Sequence, residues 1–68
     1  MNEDVLNTSV RKFLKTVGVS SQREIEKAVR EAVANGRLKG NEKLAAKMTL
    51  TVGGIDLSFA VDGAIELE

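Results

Sequence analysis

Apolar positions recur along this chain with two different periods. From Asn2 to Gly18, Val5, Leu6, Val10, Phe13, Leu14 and Val17 return every three or four residues, the spacing of one helical face. Asn2 suits an N-cap, Glu3 and Asp4 fall in the first turn, and Gly18 reads as a C-terminal stop. The pattern predicts a first helix over about 3–17. Ser21-Gln22-Arg23-Glu24 has the spacing of a capping box, and Ile25, Ala28, Val29, Ala32 and Val33 form one stripe before Asn35-Gly36. A second helix is expected over about 22–35, beside the first because the link is short. After a polar, basic loop from Gly36 to Lys43, with Leu38 and Leu44 as anchors to the core, the period changes to two.

Met48, Leu50 and Val52 alternate with Lys47, Thr49 and Thr51; Ile55, Leu57, Phe59 and Val61 alternate with Asp56, Ser58 and Ala60. Such alternation puts each apolar set on one face of a strand. Gly53-Gly54 reads as a two-residue hairpin loop at positive φ, pairing Val52 with Ile55, Leu50 with Leu57 and Met48 with Phe59. A hairpin is thus expected over about 46–61. Asp62-Gly63 reads as a second turn, with a third strand over 64–68; Leu67-Glu68 reads either as its end or as a vector-derived tail.

The expected fold class is α+β. Two N-terminal helices pack on one face of a small C-terminal antiparallel meander of two to three strands, in the order α-α-β-β-(β). The core would comprise Val5, Leu6, Val10, Phe13, Leu14, Val17, Ile25, Val29, Ala32, Val33, Met48, Leu50, Val52, Leu57, Phe59 and Val61. The 68 residues make one domain.

Composition narrows the chemistry. The chain has no Cys, His, Tyr, Trp or Pro, and Phe13 and Phe59 are its only aromatics. Without Cys there is neither disulfide nor thiolate site. Without His, Cys or Tyr the common general bases and nucleophiles are missing, so no catalytic residue, cofactor site or metal site is expected. Asp56, Asp62 and Glu66 are the carboxylates that a cation or an acid/base pair would use, yet a strand residue, a turn former and an edge residue account for them. Gly36-Arg37-Leu38-Lys39-Gly40-Asn41-Glu42-Lys43 resembles a phosphate loop only in passing: it lacks the Gly-Lys-Ser/Thr ending and follows a helix rather than a strand. No apolar run is long enough for a membrane span. The acidic start Met1-Asn2-Glu3-Asp4 is unlike a signal peptide, so the expected location is cytoplasmic.

Net charge is zero but segregated: residues 11–47 hold all ten Lys and Arg and four acids, a formal +6, against −2 over 1–10 and −4 over 48–68. Arg23, Lys27, Arg30, Arg37 and Lys39 form the candidate partner-binding surface. The expected function is a non-catalytic protein-interaction or self-associating module, with a protein partner or homodimer. The alternative is nucleic-acid binding through a reduced helix-turn-helix with the hairpin as a wing. Against it stand Glu24, Glu26 and Glu31 on the same helix and the absence of a stacking aromatic.

Asn2-Glu3-Asp4-Val5, Ser21-Gln22-Arg23-Glu24-Ile25-Glu26-Lys27-Ala28-Val29, Lys39-Gly40-Asn41-Glu42-Lys43-Leu44 and Thr51-Val52-Gly53-Gly54-Ile55-Asp56-Leu57 give the chain a further likeness. It resembles a family of short bacterial proteins of unknown function over nearly its whole length. The resemblance implies a complete, bacterial, stand-alone cytoplasmic domain and brings no activity or site residue.

Overall fold

The computed structural model describes residues 1–68. It contains one helix, α1 (Glu3–Ala34), and two strands, β1 (Lys43–Val52) and β2 (Leu57–Glu66). The chain divides into two compact units, Met1–Arg37 and Leu38–Glu68. The α+β class holds; the expected second helix and third strand do not.

The start of α1 is as the sequence implies. The Asn2 side chain accepts hydrogen bonds from the amides of Asp4 (3.0 Å) and Val5 (3.2 Å), and Glu3 and Asp4 occupy the first turn. The end is too: Asn35 caps, and Gly36, at φ +83°, donates to the Val33 carbonyl at 3.2 Å.

The expected break at Gly18 is a correction. Helix α1 runs through Gly18–Ser21 and the capping-box residues lie inside it. A mid-helix glycine costs about 1 kcal/mol relative to alanine, a small charge against 32 residues, and without proline nothing removes a ladder hydrogen bond. Gly18 lacks the positive φ of a C-terminal stop. The apolar ladder also crosses the junction unbroken. Leu6, Val17 and Ala28 are spaced by eleven, as are Leu14 and Ile25, and Val10, Ser21 and Ala32. Eleven residues make three turns of about 3.67 residues, so such a ladder stays on one side of a nearly straight helix.

Strands β1 and β2 pair antiparallel over ten positions, from Lys43↔Glu66 to Val52↔Leu57. The loop is therefore Gly53-Gly54-Ile55-Asp56, four residues rather than two, and the register differs from expectation by two positions. A shift of two leaves every side chain on its face, so the apolar face survives with new partners: Leu44↔Ile65, Met48↔Val61, Leu50↔Phe59 and Val52↔Leu57. The polar face selects this register. Lys47 opposes Asp62 and Lys43 opposes Glu66, where the expected register sets both lysines against alanines. Positive φ falls on Gly54 (+87°) and Asp56 (+50°), not on both glycines.

Asp62-Gly63 makes no turn. Strand β2 continues through it to Glu66, and the residues expected as a third strand extend the hairpin, closed at its base by Leu67 N donating to Glu42 O at 3.1 Å. No side chain is buried: every residue of the expected core is at least partly open to solvent, Phe13 by 52 % and Phe59 by 57 %. A single helix and a two-stranded hairpin each carry one apolar face, and neither shape encloses it.

Candidate functional site

The five basic residues expected to meet a partner fall in two groups. Arg23, Lys27 and Arg30 lie on α1 at i, i+4 and i+7, hence on one side of it, away from Val17, Ala28 and Ala32. Arg30 is already paired, its guanidinium 3.4 Å from the Glu26 carboxylate in an exposed i,i+4 contact. Such a contact contributes about 0.3–0.5 kcal/mol. Arg37 and Lys39 lie beyond the helix end, where Arg37 N donates to Asn35 Oδ1 at 3.1 Å.

The loop after α1 is organised by a residue that the sequence reading left aside. The Glu42 carboxylate turns back on its own chain. Oε2 accepts from the Lys39 amide at 2.8 Å, and Oε1 accepts from Gly40 at 2.9 Å and Asn41 at 3.1 Å. The Lys39 bond, then the Gly40 bond, hold the Glu42 carboxyl below its ordinary pKa. Three converging amides are what an anion-binding loop offers a phosphate, but here an internal carboxylate fills them. The local signal was a glutamate two residues after Gly40 in a polar loop.

The three carboxylates weighed for chemistry are dispersed. Asp56 ends the hairpin loop, Asp62 faces Lys47 mid-strand, and Glu66 lies 3.8 Å from Lys43 Nζ. Asp62 is thus a strand residue, not the turn former expected. No group of three metal-ligating side chains converges. A shallow depression lined by Asp4, Val5, Thr8, Ser9 and Lys12 follows the outside of α1, and a convex helix surface cannot enclose a small molecule.

The residues that the structure does gather are apolar. The ladder of α1 forms one open face, and the hairpin's Met48, Leu50, Val52, Leu57, Phe59 and Val61 form another. A family of unknown function, DUF6494, matches residues 1–68 from end to end. The chain belongs to that family. No curated protein and no solved structure gives a significant match. Membership in DUF6494 therefore assigns no activity, and the function has to be read from the surfaces. No helix is long and apolar enough to cross a membrane.

Proposed function

We propose that this DUF6494 protein is a non-catalytic interaction module whose working surfaces are the apolar faces of α1 and of the hairpin. One observation carries the reading: α1 carries an apolar ladder and the hairpin an apolar face, and none of those side chains is buried. An isolated two-stranded hairpin is marginal in water, and contiguous open apolar surface is the usual mark of a protein contact. Two carboxylates have local roles, Glu42 on loop amides and Glu66 beside Lys43, and the chain has no His, Cys or Tyr to act with the others.

The reading is tested with an environment-sensitive apolar dye on the dilute chain. The chain should bind dye, and Phe13→Glu or Phe59→Glu should reduce the signal with secondary structure retained. A dilute, folded chain that binds no dye would end the proposal.

The alignment of Arg23, Lys27 and Arg30 on one side of α1 favours a second reading, contact with nucleic-acid phosphates. Its helix-turn-helix form is gone, because the helix is continuous. What remains is a basic helix face. Amide shifts at Arg23, Lys27, Arg30, Arg37 and Lys39 that fade between low and physiological salt on adding duplex DNA would support it; no shifts at low salt would retire it.

A further inference from the structure

We propose that the apolar face of the hairpin is covered by the same face of a second copy. The two hairpins stack with their strands reversed, about a twofold axis beside the Met48–Val61 pair. This rests on the interaction-module reading and names the partner of one of its two surfaces.

Gly63 gives the first argument. A glycine inside a strand weakens it, and its uses there are a bulge, a positive φ or the close approach of another group to the backbone. The pairing of β1 with β2 runs through Gly63 without a bulge, with Ala46 opposite. Its φ is not positive, and a methyl group there would meet nothing within 4 Å. Close approach is the use that remains, and no group of this chain makes it. The group comes from outside.

Side-chain size along the face gives the occupant and its orientation. Ala46–Gly63 is the smallest cross-strand pair on the apolar face, and Leu50–Phe59 is the largest. They lie two residues, about 7 Å, on either side of Met48–Val61. A notch and a knob at equal distances from one point fit an identical surface turned end for end. Phe59 of each copy then lies over Gly63 of the other, and Leu50 over Ala46, twice by symmetry. Stacking with the strands in the same direction sets notch on notch and bulk on bulk, which leaves a void beside an overfilled row. No charge opposes the contact, because Lys43, Lys47, Asp62 and Glu66 all fall on the other face of the sheet.

Area sets the strength. Ten paired positions make a face about 34 Å long and about 10 Å wide. Two such faces cover less surface than a standard interface of about 1,600 Å². The association is therefore weak, with a dissociation constant on the order of 100 µM. A twofold contact is closed, so it stops at two copies.

The test uses the full chain, in sedimentation equilibrium up to about 1 mM and in isotope-filtered NMR on mixed labelled and unlabelled copies. The expected result is a dimer of twice the 7.3 kDa chain mass, with a contact between the Phe59 ring and Gly63. Within one strand these residues are about 14 Å apart, so that contact can come only from a second copy. Gly63→Val should keep or strengthen the hairpin by circular dichroism, because valine suits a strand. It should nevertheless weaken the dimer roughly tenfold by filling the notch. Phe59→Ala should also weaken it, and Phe59→Ala combined with Gly63→Phe, which exchanges knob and notch, should restore it. A wild-type monomer across the range overturns the inference. If that monomer still binds the apolar dye, the interaction-module reading stands with another partner; if it does not, both fall. A dimer without the Phe59–Gly63 contact, or one that Gly63→Val strengthens, overturns the reversed stacking.

Discussion

Four residues carry the sharpest tests. Gly18 sits inside a helix without positive φ, and a methyl group there meets nothing within 4 Å. Gly18→Ala should raise helix content by circular dichroism and stabilise the fold by about 1 kcal/mol; a loss would restore the break that the sequence suggested. The two turn glycines separate. Gly54, at φ +87°, resists a side chain, so Gly54→Ala should destabilise the hairpin by about 1 kcal/mol or more, whereas Gly53→Ala should be close to neutral in the same denaturation experiment. Glu42 supplies a pH dependence. Its folded pKa is lowered, so its contribution is complete above the unfolded-state value and is lost as pH falls through the folded one. The amide resonances of Lys39, Gly40 and Asn41 should titrate together in acid, with a midpoint below the ordinary glutamate value. A midpoint at or above it would mean that the carboxylate does not hold the loop.

At the level of elements, the hairpin register is set by charge as much as by apolar pattern. Lys47 opposite Asp62 should show a favourable coupling of about 0.2–1 kcal/mol in a double-mutant cycle; Lys47 with Ala60, its partner in the two-residue-loop register, should show none. This is also where the limits of the sequence reading have a physical cause. Periodicity located the helical and strand regions, and Asn2 and Asn35-Gly36 marked the ends of α1, because capping chemistry is local. The break at Gly18 was misread because a glycine and a Ser-x-x-Glu motif look alike in a terminus and an interior. What decides between them is the ladder of Leu6, Val17 and Ala28, spaced by eleven. The alternating apolar residues could not choose between registers two apart, since both keep the same face. The choice lay in the equal spacing of Lys43 and Lys47 on one strand and of Asp62 and Glu66 on the other. The basic surface was legible only in part: Arg23, Lys27 and Arg30 share a helix side, but Arg30's partnership with Glu26 lowers its availability. The role of Glu42 depends on loop geometry that pattern alone does not encode.

For the whole molecule, the proposed use of the open apolar faces would tie stability to association. The melting temperature should rise with protein concentration, as for any fold stabilised by mass action, and thermal unfolding at two concentrations a hundredfold apart checks this directly. Phe59→Glu should remove the dependence while Phe13→Glu leaves it, if the hairpin face is the contact. The exposure of the α1 ladder has a consequence outside the test tube. If association covers that ladder as proposed, uncovered copies would offer proteases a long open segment that associated copies withhold. If the covering partner is the protein itself, turnover would then slow as the protein accumulates, so that doubling synthesis would more than double the standing amount, and decay after a translation block would be faster in cells that make little of it than in cells that make much.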